Sequence, residues 1–531
     1  MPSSTRIAGA VLAVTLASLL LVASAPGVHS QEELVRTQPP ALSPYSVSSD
    51  GTVFTFTTSA QLSFRDTDNK IDIYQWSGGV TKPVSTSPSD TGTFDAVPVA
   101  VSEDGLRVIF ETFESLTPDD SEAFRSLDVY LSVRNVKTRL LSKGPLGWNG
   151  AFDAFFAGTT PRAGRVFFRS REHLIAGDED SCPGEPEPLP CEDLYERSSG
   201  TTSLVSTGPN EPVAEDGGVD SFSGASANGK RVFFRTGEAL VAADGDGPPG
   251  GIGKLDIYER SGGQTTLVST SGSNPNQPFD ASFGRASADG TRVFIRTQEQ
   301  LTGDDTDGGF DIFERSGGQT TRISKGALDS NTGAHAIFAG MTPDGAHVFF
   351  GTPERLESED TDAQGGDLYR RSGAQTALIS TGPLPVSAAS DLRATSDDGQ
   401  RVVFGSVGKF TADDIDSQYD LYERFAAVTT RLSPGNGDHS FDTPVFRAAS
   451  APDATRVLFE TREPILASDT DNLTDLYERL NGQFYLLSND PGRVVTQYRG
   501  ASRDGGSVYF EKSPLSMSTP AWGIYLARVA P

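Results

Sequence analysis

The sequence has few of the residues that build metal and catalytic centres from nitrogen and sulfur. Its 531 residues include two cysteines and five histidines. The histidines lie at unrelated positions, without a common spacing. A zinc site of cysteine and histidine, or a catalytic triad with a histidine base, is therefore not expected.

Positive charge is also scarce. Lysine and arginine number 44 against 71 aspartates and glutamates, which gives a formal net charge of −27. A surface of this kind repels the phosphates of nucleic acids and anionic membranes, and it attracts cations. We therefore expect no nucleic-acid partner.

Long apolar runs are absent after residue 25. Before that point, Arg6 precedes an apolar stretch over residues 7–25, and small residues precede Gln31. This pattern predicts a signal peptide over residues 1–30 and a secreted or extracytoplasmic mature chain, residues 31–531, without a membrane span. An uncleaved anchor is the alternative, because the stretch is long enough to cross a bilayer.

The two cysteines, Cys182 and Cys191, bracket a proline-rich insertion. In an exported protein, two cysteines so close together predict a disulfide that staples the loop. A metal site is the weaker interpretation, because no histidine or further cysteine lies near enough in the sequence to complete a ligand set.

One repeated segment accounts for most of the chain. Residues 288–325 contain an Asp-Gly turn, a short apolar run, an acidic loop, and two further short runs separated by Gly317 and Gly318. Each run has the length of a strand, and each break has turn residues. The turn position recurs at Gly51, Gly105, Gly164, Gly229, Gly290, Gly345, Gly399, Ala454 and Gly505.

Four strands in each unit are typical of a propeller blade. We expect an all-β fold, a monomeric β-propeller of nine four-stranded antiparallel blades in one ring. The blades cover approximately residues 43–87, 94–143, 152–207, 220–271, 280–325, 334–381, 390–433, 442–488 and 497–531. The ninth unit lacks a fourth strand, and residues 33–37 resemble the missing one. We expect this N-terminal strand to complete the last blade, which would protect two open sheet edges.

The repeats resemble those of a known family. The segments S-A-D-G-T-R-V-F-I-R-T (residues 287–297) and L-T-G-D-D-T-D-G-G-F-D-I-F-E-R (residues 301–315) are similar to repeats of TolB-type β-propellers, bacterial relatives of the tryptophan-aspartate-repeat propellers. The resemblance spans residues 33–531 and implies an exported bacterial propeller. It implies little about function, because the family includes periplasmic scaffolds, peptidase propeller domains and proteins of unknown role.

The acidic loop carries the clearest chemical signal. Four units contain Asp-x-Asp-x-x-x-Asp, a fifth has one extra residue, and the units at Asp178 and Asp244 hold the first pair but carry insertions. Clustered carboxylates repel one another unless a hard cation lies between them, and Ca²⁺ prefers such oxygen ligands. The predicted calcium ligands are Asp66, Asp68, Asp72, Asp305, Asp307, Asp311, Asp360, Asp362, Asp367, Asp414, Asp416, Asp420, Asp469, Asp471 and Asp475.

Two other interpretations of these loops stay open. Aspartates commonly cap turns through their own backbone, and a repeat protein can copy such a cap without any metal. Catalysis is the third interpretation, but it needs one asymmetric constellation rather than many equivalent loops.

A second set of aspartates lies just before the first strand of several units. These residues are Asp95, Asp153, Asp220, Asp280, Asp391 and Asp442. In a four-stranded blade they emerge on the same face as the acidic loops, and we expect them to form a ring at the tunnel mouth. Alternatively, they bond only to backbone amides between blades. The acidic face is the predicted surface for a protein or glycan partner.

No catalytic motif is recognisable in the chain. We therefore predict that it is not an enzyme, but a binding scaffold with structural Ca²⁺. The alternative is a propeller enzyme, a lyase or a hydrolase, that uses aspartates in the central funnel as acid and base.

Overall fold

The computed structural model has β-strands as the only regular secondary structure in the part of the chain that it describes. That part comprises residues 30–37, 46–86, 93–120, 125–145, 150, 152–176, 178, 191–210, 218–246, 252–271, 277–328, 331–361, 365–384, 386, 388–433, 445–449, 453–470, 473–488, 494–514 and 522–528. Its strands form nine four-stranded antiparallel sheets, which are the blades of a propeller.

The first four blades follow the N-terminal strand, β1 (Ser30–Thr37), in chain order. Their strands are β2 (Ser46–Val47), β3 (Val53–Thr58), β4 (Asp72–Ser77) and β5 (Val80–Pro83) in blade 1; β6 (Val97–Val101), β7 (Arg107–Thr112), β8 (Asp128–Val133) and β9 (Lys137–Leu140) in blade 2; β10 (Ala154–Thr159), β11 (Arg165–Ser170), β12 (Asp193–Ser198) and β13 (Thr201–Leu204) in blade 3; and β14 (Val219–Ala225), β15 (Arg231–Glu238), β16 (Ile252–Ser261) and β17 (Gln264–Leu267) in blade 4.

The other five blades repeat this order, except that blade 9 has three strands from the end of the chain. Their strands are β18 (Ser282–Ala286), β19 (Arg292–Thr297), β20 (Asp311–Ser316) and β21 (Gln319–Arg322) in blade 5; β22 (Ile337–Met341), β23 (His347–Thr352), β24 (Asp367–Ser372) and β25 (Gln375–Leu378) in blade 6; β26 (Ser390–Thr395), β27 (Val402–Ser406), β28 (Asp420–Phe425) and β29 (Val428–Arg431) in blade 7; β30 (Val445–Ala449), β31 (Arg456–Thr461), β32 (Asp475–Leu480) and β33 (Gln483–Leu486) in blade 8; and β34 (Val494–Ala501), β35 (Ser507–Pro514) and β36 (Trp522–Arg528) in blade 9.

The N-terminal strand closes the ring. β1 pairs antiparallel with β36, so blade 9 has the strand order β1-β36-β35-β34. Blade 9 also bonds directly to blade 1, because Arg503 N donates to Ser49 O at 2.9 Å and Tyr509 OH donates to Gly51 O at 2.8 Å. The predicted nine-bladed ring with an N-terminal closing strand is confirmed.

The second strand of each blade explains why the blades must stack. In β19, Val293, Phe294 and Ile295 are successive residues, and none is more than 2% exposed. Neighbouring residues on a strand point to opposite faces, so both faces of the sheet are buried. Val293 and Ile295 pack with Phe233 and Ile257 of blade 4, so this apolar cluster belongs to the interface between two blades. Stability therefore comes from contacts between nearest neighbours around the ring.

Small residues on the first strands let neighbouring blades approach closely at the centre. A Cβ atom on Gly158 of β10 would lie 2.3 Å from the Phe222 ring of blade 4. On Gly284 of β18, a Cβ atom would lie 3.0 Å from the Phe338 ring of blade 6. The aromatic ring of one blade thus covers the glycine of the preceding blade, which leaves no space for a side chain there.

Hydrogen bonds near both ends of the blades reinforce this packing. Ala288 N in the Asp-Gly turn of blade 5 donates to Pro343 O of blade 6 at 2.7 Å. At the outer edge, Thr265 Oγ1 of blade 4 donates to Thr207 O of blade 3, and Arg260 Nη1 donates to Thr265 Oγ1 at 2.9 Å. Arg260, in the third strand of blade 4, also contacts blade 3, because its Nη1 donates to Thr207 O at 3.4 Å.

The Asp-Gly turn joins the first and second strands through its side chains. Asp289 Oδ1 accepts hydrogen bonds from Thr291 N at 2.9 Å and Ser287 Oγ at 2.7 Å, and Gly290 has a φ of 74°. These bonds, the Thr291 amide first, lower the pKa of Asp289 to about 2. Blade 4 has Asn228 at this position, and its Oδ1 accepts the equivalent bonds from Ser226 Oγ and Lys230 N at 2.9 Å each.

The turn generates a prediction about acid stability. The folded-state pKa of Asp289 is below the unfolded value, so the stabilisation by the ionised group is complete above the ordinary value of 3.8 and is lost as the pH falls through about 2. Asp289→Asn should keep the turn bonds and reduce the loss of melting temperature between pH 4 and pH 2. Asp289→Ala should cost about 1 kcal/mol at pH 7. Equal melting temperatures of both variants at pH 7 would contradict this role.

Candidate functional site

The acidic loops connect the second and third strands, and buried hydroxyl groups hold their aspartates. In blade 1, Tyr74 OH donates to Asp66 Oδ2 at 2.5 Å. Ser85 Oγ donates to Asp72 Oδ1 at 2.6 Å and accepts from Ile73 N at 2.9 Å. Asp68 Oδ1 accepts from Lys70 N at 2.5 Å, which is an Asx turn. Each aspartate thus uses at least one oxygen as a cap.

The same hydroxyl bonds recur around the ring. The last aspartate of each loop accepts from a serine in eight blades: Asp72 and Ser85, Asp128 and Ser142, Asp193 and Ser206, Asp256 and Ser269, Asp311 and Ser324, Asp367 and Ser380, Asp420 and Ser433, Asp475 and Ser488. The first aspartate accepts from a tyrosine in seven: Asp66 and Tyr74, Asp120 and Tyr130, Asp178 and Tyr195, Asp244 and Tyr258, Asp360 and Tyr369, Asp414 and Tyr422, Asp469 and Tyr477.

Blade 5 departs from this pattern, because Phe313 lies where the other blades have tyrosine. Asp305 is 4% exposed, and its Oδ1 has no hydrogen-bond partner among the described residues. Burial raises the pKa of Asp305 to about 6. The loop carboxylates are therefore held in place at a cost in desolvation.

Capping does not use all the carboxylate oxygens. In four loops, one oxygen from each of three aspartates lies within 4.8 Å of the other two, an arrangement that can hold a metal ion. These groups are Asp66, Asp68 and Asp72; Asp244, Asp246 and Asp256; Asp305, Asp307 and Asp311; and Asp414, Asp416 and Asp420. The structure therefore brings together three of the five predicted calcium sites.

The other two predicted sites are described only in part. Asp360 and Asp367 are described but Asp362 is not, and Asp469 and Asp475 are described but Asp471 is not. The group at Asp244 was absent from the predicted ligand set. The insertion between Asp246 and Asp256 hides its similarity to the others in the sequence, and folding brings Asp256 back beside the pair.

An arginine that was not predicted from the sequence lies beside two of the four aspartate groups. Arg431 Nη2 lies 2.8 Å from Asp420 Oδ2 and 3.5 Å from Asp416 Oδ2. Arg322 is 1% exposed, and its Nη1 lies 4.0 Å from Asp311 Oδ2. Burial nevertheless raises the pKa of Asp311 to about 7 and that of Asp420 to about 6. The only sequence signal is an arginine where the fourth strands of several other blades have leucine.

A fully buried glutamate of blade 5 was also missed. Glu299 of blade 5 is 0% exposed, and Gln277 N donates to its Oε2 at 3.0 Å. Burial foremost, and then the charges of Asp256, Asp246 and Asp244, raise the pKa of Glu299 to about 8. A recurring Thr-x-Glu-x-Leu that starts at the end of the second strand, as at Thr112, Thr236 and Thr352, is the signal that could have identified it.

The predicted tunnel-mouth aspartates bind mainly to neighbouring groups. Three of them accept a hydrogen bond from the preceding blade, from the backbone amide next to the last aspartate of its loop: Asp95 from Ile71 N at 2.9 Å, Asp153 from Leu127 N at 2.7 Å and Asp280 from Leu255 N at 3.1 Å. Two other aspartates of this set contact side chains. Asp391 accepts a hydrogen bond from Tyr419 OH at 2.6 Å, and Asp220 forms an ion pair with Arg235 Nη2 at 2.6 Å. Asp442 lies outside the described residues.

Other predictions concern residues that the structure describes only in part. Cys191 is buried, but Cys182 lies outside the described residues, so the disulfide stays a prediction. The signal peptide also lies outside them, apart from Ser30. Within the described ranges there is no helix long and apolar enough to span a membrane.

Comparison with known proteins identifies no family. No family model matches the chain, and no curated protein matches it. Similar solved structures include the WD40 domain of SCAP from fission yeast, with 10% identity and a TM-score of 0.36. The match covers 95% of this chain and 98% of that domain. An oligogalacturonate lyase in complex with manganese has 14% identity and a TM-score of 0.34, with 82% of this chain and 96% of that one covered.

A prolyl endopeptidase is also similar, with 14% identity and a TM-score of 0.36. The match covers 81% of this chain and spans about half of the peptidase, 55% of its length. At these identities and TM-scores the likeness carries no conclusion about this chain. The prediction that this chain is not an enzyme is wrong as an exclusion, because it rested on the absence of a recognisable motif. The lack of a recognisable motif does not rule out catalysis on a propeller.

The hydrogen bond from tyrosine to the first loop aspartate leads to a prediction. Blade 5, which has phenylalanine at this position, is the natural control. Tyr258 OH donates to Asp244 Oδ2 and to Glu238 O. Tyr258→Phe removes both bonds inside the fold and should destabilise it by about 1–3 kcal/mol. Phe313→Tyr should be neutral or stabilising, because it offers Asp305 the missing donor and blade 7 accommodates Tyr422 and Arg431 together. Chemical denaturation measures the free energy of unfolding of both variants. An equal decrease in the two would refute the role of the tyrosine as a donor.

Proposed function

We propose that the protein is an exported propeller of the TolB type that binds divalent cations, Ca²⁺ foremost, in its aspartate loops. In this proposal the loaded loops stabilise the blades and shape a face that binds a protein or glycan partner. The mature chain is secreted or extracytoplasmic and monomeric, and a disulfide between Cys182 and Cys191 staples its proline-rich insertion.

One observation carries the cation part of the proposal: four loops each bring oxygens of three aspartates within 4.8 Å of one another. Capping accounts for individual hydrogen bonds of these aspartates, but it does not explain why oxygens of all three converge. Ca²⁺ binds six to eight oxygen ligands and accepts carboxylates, carbonyls and waters. It also reduces the self-repulsion of a chain with a net charge of −27.

Exposed apolar side chains support a binding role for the face that carries these loops. Strands alternate in direction, so the loop from second to third strand and the connection to the next blade emerge at the same end of every blade. Large apolar side chains at this end are exposed in several blades: Phe64, Phe113, Phe152, Phe155, Phe279, Ile337 and Ile415. Exposed apolar groups among acidic loops are typical of an interaction surface.

Thermal denaturation tests the cation part. A protein freed of metal with EDTA should melt at a lower temperature than the same protein with millimolar Ca²⁺. At a free Ca²⁺ concentration of about 100 times the dissociation constant, each site adds about 2.7 kcal/mol to the free energy of unfolding. Mg²⁺ is the control and should have a smaller effect, because it demands a compact octahedral site. A melting temperature that does not respond to Ca²⁺ would leave capping as the role of the loops.

Binding to glycan and peptide arrays, with and without Ca²⁺, tests the partner part. We expect ligands that are retained by the Ca²⁺-loaded protein and weakened by Phe64→Ala and Phe279→Ala, since both rings are exposed on the loop face. Val428→Ala is the control, because this exposed side chain lies in the fourth strand, at a blade edge. Mass spectrometry of the bound glycans and peptides detects cleavage, which would assign the face to an enzyme. Retention that does not depend on either ring would contradict the proposed surface.

A further inference from the structure

The four aspartate groups differ at one position of the fourth strand. This position pairs with the aromatic residue of the third strand in the same register in each blade. It is occupied by arginine in two of the four blades and by an uncharged residue in the others: Pro83 in blade 1, Leu267 in blade 4, Arg322 in blade 5 and Arg431 in blade 7.

In blades 5 and 7 the arginine supplies a positive charge from within the fold. Arg431 bridges Asp420 and Asp416, and its Nη1 also donates to Asp413 O at 3.0 Å. Arg322 Nη1 faces Asp311 and donates to Asn331 Oδ1 at 2.5 Å. A buried guanidinium and a divalent cation at the same carboxylates would repel each other strongly in this low-dielectric setting.

In blade 5, both oxygens of the second loop aspartate already accept hydrogen bonds from the backbone. Asp307 Oδ1 accepts from Gly309 N at 2.6 Å, and its Oδ2 accepts from Gly333 N at 3.0 Å. In blade 4 the equivalent residue is Asp246. Its Oδ1 accepts from Lys254 N at 3.1 Å, but its buried Oδ2 has no hydrogen-bond partner among the described residues.

A second, independent observation at blade 4 comes from the neighbouring blade. Glu299 is fully buried, and its Oε2 is held by Gln277 N. Its Oε1 has no hydrogen-bond partner within the described part of the chain. The connection that holds Glu299 also bonds to blade 4, because Asp280 Oδ1, three residues after Gln277, accepts from Leu255 N, the neighbour of Asp256, at 3.1 Å. Leu267 brings no charge to the three blade 4 aspartates, and an unbonded buried oxygen is costly unless a cation or a donor satisfies it.

We infer that Asp244, Asp246 and Asp256 of blade 4 bind one divalent cation, Ca²⁺ by preference, with Glu299 of blade 5 as an outer carboxylate, whereas Arg322 and Arg431 replace the ion in blades 5 and 7. Glu299 is not in the set of oxygens within 4.8 Å of one another, so it acts as a positioning residue that accepts from a water on the ion. The inference rests on the proposed cation binding and makes the ion a link between two blades.

Calorimetric titration of the full chain with Ca²⁺ tests the inference through two matched substitutions. Asp246→Asn should lower the number of bound Ca²⁺ ions by one. Asp307→Asn, the same change in the arginine-containing blade 5, should leave the number unchanged. Equal effects of the two substitutions would overturn the inference, while a wild-type chain that binds no Ca²⁺ would instead refute the proposed function.

Glu299→Gln separates a role at the ion from a structural one. The glutamine keeps the acceptor for Gln277 N and removes a buried charge, so in EDTA the melting temperature should stay the same or rise. In Ca²⁺ the affinity of one site should fall about 10–100-fold, the usual effect of removing a group that supports metal ligands. A lower melting temperature in EDTA with unchanged Ca²⁺ affinity would show that Glu299 only supports the fold.

Discussion

The propeller depends on the burial of both faces of every sheet. Second strands such as the Val293–Ile295 run are apolar on successive residues, so a blade alone would expose one apolar face or both to water. Each apolar cluster accordingly contains residues of two adjacent blades, as when Phe233 of blade 4 packs with Val293 of blade 5. A ring satisfies this requirement for all nine blades. The pairing of the first strand with the last is what makes the ring continuous.

Stacking of the blades also determines where the polar groups are. In blade 5 the third strand begins with an aspartate whose carboxylate is buried against a serine just after the fourth strand, Asp311 against Ser324. A buried carboxylate needs donors or a positive charge. The chain meets this need in different ways: tyrosine and serine hydroxyls in most blades, and a guanidinium beside Asp311 and Asp420. Nearly identical loops can therefore have different chemistry, because one residue on the adjacent strand differs.

Much of the fold was predictable because its signals are local and repeated. Asp-Gly turns, strand-length apolar runs and the missing fourth strand of the last unit were sufficient to predict nine blades and the closing role of β1. The convergence of Asp66, Asp68 and Asp72 was also predictable, because these three residues lie in one short loop. The prediction that the chain is not an enzyme was wrong as an exclusion, since it rested only on the absence of a motif.

The sequence alone therefore determined the number of blades, their strand order and the aspartates that lie together in one tight loop. These features depend on residues that are close to each other in the sequence. Only the tertiary structure decided which loops have a positive charge of their own and which aspartates bond to the preceding blade. It also decided that Glu299 is fully buried, with its Oε2 bonded to Gln277 N. These outcomes depend on contacts between strands and between blades. Residues far apart in the sequence share one buried, low-dielectric space there, and the balance of their charges is set only when the blades pack.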